Sequence, residues 1–497
     1  MKLKRTAAVV AAATMAASIC GCGGDGTVKT KEKSDEIRLK YIMPGPTGQQ
    51  DQRMVFDKFN EKLHEKFPKI TVDFEIIEPS DYKQKFLLML ASDERVDIAA
   101  TYCLDYVSDV QNGSFIELDD LLDEYGKETK AALPDWLFDY MKVNDKIYGI
   151  PAYQQLDTPY AFYLPKQYAQ YLDIEGFKNA LYTNDFEKSY ELVDSYCKKL
   201  SDEGKIAYGI DVSLIPYLTD VYETIKYPCA VRKTDSGKYE AFYPFTDKIY
   251  TDFYKWARSW YEKGYIRKDV LTADNTGEQK FKTENGYVMW GDQTNPMMTD
   301  KYGENFEIIP IHNYYKVPAQ SAAGGVGITS MCKEPEAAMQ VLNLLHSDKE
   351  LYNLITYGIE GTHYKKTGEE SIEVEYEGTQ AKSTDKYGLW KWIIGNTELS
   401  YMTQNDSEAM KKWVFEDVNK AEKRSEFIGF VLNTENIQDK LDQVNAVAGE
   451  YFNALSNGTN ADWEAKFEEF KSKTEAAGIN DCLAECEKQV NEFIENK

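Results

Sequence analysis

The strongest constraint on the fold is an alternation of two apolar spacings near the start of the chain. Apolar residues alternate with polar ones over 37–41 and 70–76, and a short apolar run covers 97–101, which predicts three strands. Between them, apolar residues recur at three- and four-residue intervals over 55–67 and 86–90, which predicts two helices. Short links between alternating strands and helices favour an α/β fold with a mainly parallel sheet.

Length and charge narrow the class of protein. A chain of 497 residues with 42% apolar residues is too apolar to be disordered and is long enough for two or three domains. The 83 acidic side chains outnumber the 58 basic ones and give a net charge of −25. A nucleic-acid-binding protein needs a basic stripe to displace counterions from phosphates, so no nucleic-acid partner is predicted.

The first residues predict export. Lys2, Lys4 and Arg5 precede an apolar stretch over 6–19 that is too short to span a bilayer comfortably, as in a signal peptide over 1–21. Ile19-Cys20-Gly21-Cys22 resembles a bacterial lipobox, which implies cleavage before Cys22 and a diacylglyceryl group on its sulfur. An ordinary secretory signal is the alternative.

Residues 22–36 are polar and contain glycine, which predicts a flexible tether. No later segment offers eighteen consecutive apolar residues, so the anchor is the one membrane contact expected.

The rest of the chain predicts a second lobe and a segment that leads back to the first lobe. Lys146–Pro151 and the following polar residues suit a segment that crosses between lobes, and 324–328 would bring the chain back. The last third carries three amphipathic helices. We assign 37–150, about 320–360 and 420–497 to lobe 1, and 151–319 with about 361–419 to lobe 2.

Ligands of open α/β sheets bind beyond the carboxyl ends of the strands. The third predicted strand ends in a loop that carries Tyr102 and Asp105, which we predict to contact a ligand.

Metal, cofactor and enzyme motifs are not found. The four histidines are dispersed, the cysteines lack zinc-site spacing, and no nucleophile elbow, phosphate loop or calcium loop occurs. No metal, cofactor or catalytic residue is predicted. Cys482 and Cys486 lie four apart on a predicted helix, where two free thiols are favoured over a stapled turn.

Several segments together carry a family resemblance. They are 86–98 (FLLMLAS followed by Asp97-Ile98), 115–126 (FIELDDLLDEYG), 146–151 (KIYGIP), 357–364 (YGIEGTHY) and 428–432 (IGFVL). Because these segments follow one another in this order, the chain resembles the family-one extracellular solute-binding lipoproteins of ABC importers. Within that family it resembles the LipO-like or LplA-like branch, which has an uncharacterised C-terminal domain. The resemblance implies a two-lobed, type II periplasmic-binding-protein-like fold with a hinge and a helical C-terminal region. It also implies a cleft that closes on solute, docking on permease subunits, and no catalysis.

A cleft for sugar needs aromatic rings against C–H faces and planar polar groups for hydroxyls. Three segments offer this chemistry: 153–157, 290–293 and 390–392. We predict that Trp290 stacks on the ligand. The other candidate ligand contacts are Tyr153, Gln154, Gln155, Asp157, Asp292, Trp392 and His363. Trp392 could instead be a core residue, and His363 could instead be a structural residue held by hydrogen bonds.

The function predicted from the sequence is therefore that of a monomeric, lipid-anchored solute-binding protein on the outer face of the bacterial cytoplasmic membrane. It would capture an oligosaccharide and deliver it to an ABC permease. A peptide- or signal-binding lipoprotein that feeds a sensor, and a secreted glycan-active enzyme, are the alternatives.

Overall fold

The structure is a computed structural model that describes residues 36–206, 209–213, 215, 221–273, 287–319, 324–374, 386–404 and 406–497. The predicted signal peptide, the tether up to residue 35 and Cys22 lie outside the described residues. In the part of the chain that is described, no helix combines the length and apolar character needed to cross a bilayer.

The strands are, in chain order, β1 (Ile37–Pro44), β2 (Ile70–Ile77), β3 (Ile98–Ala100), β4 (Lys142–Val143), β5 (Lys146–Ile147), β6 (Ile150–Pro151), β7 (Tyr160–Pro165), β8 (Ile210–Asp211), β9 (Glu223–Lys226), β10 (Cys229–Lys233), β11 (Tyr239–Phe242), β12 (Met289–Gln293), β13 (Phe306–Pro310), β14 (Lys316–Val317), β15 (Gly325–Ile328), β16 (Tyr364–Lys366), β17 (Ile372–Val374) and β18 (Lys423–Arg424). The α-helices are α1 (Gln52–Lys66), α2 (Pro79–Ala91), α3 (Tyr106–Gln111), α4 (Asp119–Tyr125), α5 (Lys127–Ala132), α6 (Ile174–Tyr182), α7 (Phe186–Asp202), α8 (Lys248–Lys263), α9 (Pro296–Tyr302), α10 (Pro335–Ser347), α11 (Lys349–Tyr357), α12 (Glu408–Lys412), α13 (Gln438–Ser456), α14 (Trp463–Ala476) and α15 (Ile479–Asn496).

Lobe 1 is built on a five-stranded sheet in the order β2-β1-β3-β15-β6. The first three strands are parallel, as predicted from the alternation of strand and helix patterns, and Ile37 of β1 lies opposite Ile70 of β2. The returning strand β15 runs antiparallel to both β3 and β6. Helix α1 ends at Lys66, just before Pro68, because proline disfavours a helical conformation in the residue that precedes it.

The core of lobe 1 combines the first strands with distant parts of the chain. Leu39 and Val72 of the sheet share one apolar cluster with α10, α11 and residues 387–421. Residues 386–419 therefore pack in lobe 1, which differs from their predicted place in lobe 2. The physical reason is the apolar content of that segment, since Ile393, Trp413 and Phe415 are buried in this cluster.

Lobe 2 contains a four-stranded sheet, β13-β7-β12-β8, and an antiparallel three-stranded sheet, β11-β10-β9. Helices α6, α7 and α8 contribute to its core. The three amphipathic helices predicted for the last third of the chain are present as α13, α14 and α15, and Gly478, in the left-handed conformation at φ 96°, separates α14 from α15.

Those C-terminal helices pack in lobe 2 and correct the prediction that 420–497 belongs to lobe 1. Leu441, Tyr451 and Phe470 lie in the same apolar cluster as Phe162 of β7 and Trp260 of α8. An amphipathic pattern shows which face of a helix is buried but not which lobe buries it, so the sequence could not make this assignment.

Helix α15 also covers the edge strand β11 with polar side chains. The amide of Asn491 accepts a hydrogen bond from the Tyr239 N–H at 2.9 Å and donates to the Tyr239 carbonyl at 2.8 Å. A Glu487 carboxylate oxygen accepts from the Ala241 N–H at 3.0 Å. Backbone groups that a sheet edge would otherwise offer to another chain are satisfied within lobe 2.

Candidate functional site

Three segments connect the lobes and form the hinge. They are 152–159, between β6 and β7; the connection from β13 to β15, of which 311–319 and Gly324 are described; and 419–437. Two of these segments pair in parallel through β14 and β18. The first segment follows the predicted crossing at Lys146–Pro151.

A cavity of about 1180 Å³ lies where the first two hinge segments enter lobe 2. Its wall comes from the crossing segment, from β9, from the start of α9 and from the residues after β13. A cavity of this volume exceeds the usual range for drug-sized ligands and leaves room for a molecule of several rings.

Aromatic side chains supply much of the cavity wall. They are Tyr160, Tyr182, Tyr222, His312, Tyr314, Tyr315 and Trp413. The Trp413 indole N–H donates to the Tyr315 hydroxyl at 2.8 Å, and the two rings meet nearly edge-on at 6.0 Å. Trp413 begins a single π-helical turn after α12, an irregularity that is frequent at functional sites.

Polar contacts join the hinge segments at the cavity. The Gln155 amide donates to the Asp157 carbonyl at 2.8 Å, and the Lys316 N–H donates to the Asp157 carboxylate at 3.3 Å. The Lys316 ammonium lies 3.4 Å from one oxygen of the Glu223 carboxylate. The other oxygen of this carboxylate accepts a hydrogen bond from the Ala319 N–H at 3.2 Å. These contacts fix the side of the cavity that is nearest the hinge.

Tyr153 and Gln154 lie on the hinge side of lobe 1, and neither lines the cavity. The Tyr153 side chain is buried against Phe415, and burial raises the pKa of its phenol. The Gln154 carbonyl accepts from the Asn419 amide at 2.7 Å, and the same amide's oxygen accepts from the Leu156 N–H at 3.0 Å. Asn419 therefore clamps the first hinge segment to the third. It was not predicted, because nothing in the sequence near 419 indicates which segment it contacts.

Tyr102 and Trp392, both predicted site residues, lie together in lobe 1. Their ring centres are 4.7 Å apart at nearly right angles, and Trp390 stacks on Trp392 at 5.5 Å. All three rings are only partly buried. We call them the lobe 1 aromatic cluster.

This cluster lies at the sheet edge from which the hinge leaves. The Thr101 N–H, just after β3, donates to the Gly325 carbonyl at 2.8 Å, and Gly325 pairs with Pro151 at the end of β6. Tyr102 thus stands beside the start of the crossing segment, at the carboxyl ends of β3 and β6. Tyr102 therefore follows β3 as predicted, but it does not line the cavity, and its contact with a ligand stays a prediction.

Trp290 is placed differently from the prediction. The strand that carries it continues to Gln293, so Trp290 is an interior residue of β12 and not its end. Its ring is fully buried, stacks on Tyr163 at 5.6 Å and meets Phe306 edge-on at 5.3 Å. A side chain enclosed in this way is core, and a solute in the cavity does not reach it. Asp292, on the same strand, does not line the cavity either.

His363 and Asp105 also lie away from the cavity. The His363 Nδ1 accepts from the Ile359 N–H at 2.8 Å, so in the neutral ring the proton is on Nε2, which lies 3.3 Å from an Asp51 oxygen. Burial lowers the pKa of this imidazole. These hydrogen bonds favour the alternative role for His363, that of a structural histidine. Asp105 is exposed and forms an ion pair with Lys83.

The six cysteines of the described chain are free thiols, and Cys482 and Cys486 are both buried. Burial raises the pKa of the Cys482 thiol to about 11, so it carries little thiolate at neutral pH. Among the described residues, no group of three or more histidine, cysteine, aspartate or glutamate side chains is arranged to hold a metal ion.

Comparison with known proteins agrees with this architecture. Residues 426–495 match a family model described as a domain of unknown function (DUF3502). The chain is 24% identical over 511 residues to a carbohydrate ABC transporter substrate-binding protein of Streptococcus pneumoniae, with 99% of this chain and 98% of that protein covered.

Solved structures share the fold. The N-glycan transport solute-binding protein NgtS of Streptococcus pneumoniae superposes with a TM-score of 0.69 at 22% identity, over 92% of this chain and 99% of that one. NgtS in complex with Man5GlcNAc gives 0.56 at 23% identity, over 93% and 99%. A solute-binding protein of Bifidobacterium longum infantis, described as binding HMO, gives 0.59 at 12% identity, over 93% and 99%. The chain thus has the two-lobed fold of the extracellular solute-binding proteins, with residues 426–495 similar to the domain of unknown function DUF3502.

Proposed function

We propose that this protein captures an oligosaccharide in the cleft between its lobes and delivers it to the permease of an ABC importer. The observation that carries the proposal is the cavity at the hinge, whose wall combines aromatic rings with amide, carboxylate and hydroxyl groups. The names of its relatives support a transport role, since they describe carbohydrate or glycan binding and no catalysis.

The chemistry of the wall suits a sugar. A pyranose ring has faces rich in C–H groups that pack on aromatic rings, and hydroxyls around its rim that need hydrogen-bond partners. Tyr315 offers a partly exposed ring, and Gln155, Asp157 and Asn313 offer planar polar groups. A buried hydroxyl left without a partner costs about 1–3 kcal/mol, so such groups discriminate between sugars.

Closure of the lobes would complete the site. The NgtS structure described without a glycan superposes on this structure with a TM-score of 0.69, and the NgtS complexes with Man1GlcNAc and Man5GlcNAc superpose with 0.59 and 0.56. This order supports an open arrangement of the lobes here. We propose that on closure the lobe 1 aromatic cluster contacts the part of the solute that projects from the cavity.

Cys22 would hold the protein at the outer face of the membrane through its lipid, and residues 23–36 would let the two lobes reach the permease. Replacement of Cys22 by serine should release the protein from washed membranes into the medium. Attachment that persists in C22S would contradict the anchor.

Binding is tested by calorimetric titration of the purified protein with a panel of neutral oligosaccharides and with peptides of similar size. We expect at least one oligosaccharide to bind and to raise the melting temperature as its concentration grows. Binding of peptides with no response to any glycan would overturn the proposal.

The site is tested with Tyr315→Ala, which removes a ring from the cavity wall. Loss of a stacked ring should weaken glycan binding about tenfold, equivalent to about 1.4 kcal/mol. Tyr125→Ala in α4 removes a tyrosine that does not line the cavity and should leave affinity unchanged. Equal affinity of Y315A and the unmodified protein would remove this cavity from the site.

A further inference from the structure

The charged groups that line the cavity are mostly negative. Asp157, Glu223 and Asp300 supply three carboxylates, and Lys316 supplies the one ammonium among the described lining residues. With His312 uncharged, the formal charge of the lining is −2. The charge is spread over three walls of the cavity, because Asp157 lies in the first hinge segment, Glu223 in β9 and Asp300 in α9.

The ammonium of Lys316 is already engaged by a carboxylate. It lies 3.4 Å from the Glu223 carboxylate, and both side chains are largely buried, at 26% and 16% exposure. An anionic ligand would have to compete with Glu223 for this ammonium. Lys423 does not line the cavity, and its ammonium lies 3.0 Å from the centre of the Tyr314 ring.

From this arrangement we infer that the cleft selects neutral or amino-substituted oligosaccharides and rejects those that carry a carboxylate sugar. The inference rests on the proposed function and names the chemical class of its solute. Carboxylates accept strong hydrogen bonds from sugar hydroxyls and attract an ammonium group, whereas they repel a uronate or a sialic acid. Rejection through unfavourable charge is an efficient source of specificity where the hydroxyl patterns of competing ligands are similar.

The test uses pairs of oligosaccharides that are identical except for a terminal sialic acid, titrated calorimetrically into the purified protein. We expect the neutral member to bind at least about tenfold more tightly than the sialylated one in 50 mM salt. In 500 mM salt the ratio should shrink, because screening weakens the repulsion.

Asp157→Asn combined with Asp300→Asn removes two negative charges and keeps a side-chain oxygen at each position to accept hydrogen bonds. In this double variant the preference for the neutral member should fall to about threefold or less. Asp417→Asn combined with Asp439→Asn is the matched control, since both carboxylates are exposed and neither lines the cavity. The control should keep the full preference.

The outcomes separate this inference from the proposed function. If the sialylated member binds as tightly as the neutral one, or more tightly, charge selection is refuted while glycan binding stands. An undiminished preference in D157N/D300N also refutes it, since the discrimination would then have another origin. If no member of any pair binds, the proposed function itself fails.

Discussion

Asn419 is expected to be one of the most sensitive polar positions in the hinge. Its side chain is 3% exposed and makes two hydrogen bonds to the first hinge segment, one to the Gln154 carbonyl and one from the Leu156 N–H. Asn419→Ala leaves both backbone groups without these partners. A buried backbone group that loses its partner costs about 1–3 kcal/mol. Because the Gln154 carbonyl is only partly buried and can regain water, we expect a total loss of about 2–4 kcal/mol in the free energy of unfolding.

The loss is measured by urea denaturation followed by tryptophan fluorescence. Hydrogen exchange gives a second readout, because the Leu156 amide should lose protection in the variant before the rest of lobe 1 does. Asn112→Ala is the matched control, since that side chain is exposed and its one side-chain hydrogen bond is 3.5 Å long. If N419A unfolds within about 0.5 kcal/mol of the unmodified protein, the inference that Asn419 clamps the hinge is refuted.

Three further predictions concern the lobes. Asn491→Leu removes the amide that satisfies both backbone groups of Tyr239, so it should lower the free energy of unfolding by about 1–3 kcal/mol. The exposed edge of β11 should then promote self-association, which light scattering measures. A monomer of unchanged stability would contradict this prediction. Gly395→Ala should lower the melting temperature by several degrees. Gly395 has φ 73°, and an added Cβ would lie 2.2 Å from the Leu345 carbonyl oxygen. An unaffected melting temperature would refute the strain argument. His346 is fully buried, and burial lowers the pKa of its imidazole to about 4, well below its ordinary value. It should therefore contribute stability at neutral pH that is lost, by up to about 3 kcal/mol, as pH falls from about 6.5 to 4, and His346→Gln should flatten this part of the urea-unfolding profile against pH; an unchanged profile would count against it.

The spacing of apolar residues predicted where individual strands and helices lie in the sequence. Alternating apolar residues located β1 and β2, and the apolar spacing located α13 to α15, because each pattern fixes which side of one element is buried. The lobe that receives each element was not determined in this way. Residues 386–419 and 437–496 exchange their predicted lobes, since an amphipathic face carries no information about its partner.

Sequence patterns indicated some of the residues that lie near the cavity or beside the hinge, and they did not indicate the contacts that are made across the hinge. Tyr102 and Trp392 were predicted and lie 4.7 Å apart, and Asp157 lines the cavity. The sequence predicts Trp290 as a stacking ring at a strand end, but β12 continues through Gly291 to Gln293, and the Trp290 ring is fully buried. Lys316 and Asn419 act through contacts with segments more than 90 residues away in sequence, which no local pattern could indicate.

The central claim is that a solute bridges both lobes at the hinge. A crystal structure of the protein with the tightest-binding neutral oligosaccharide tests it most directly. We expect the sugar in the cavity beside Tyr314 and Tyr315, with the lobes closed so that Tyr102 or Trp392 contacts it from the other side. A sugar bound to one lobe alone, or outside this cavity, with the lobes arranged as in the free protein, would contradict the account.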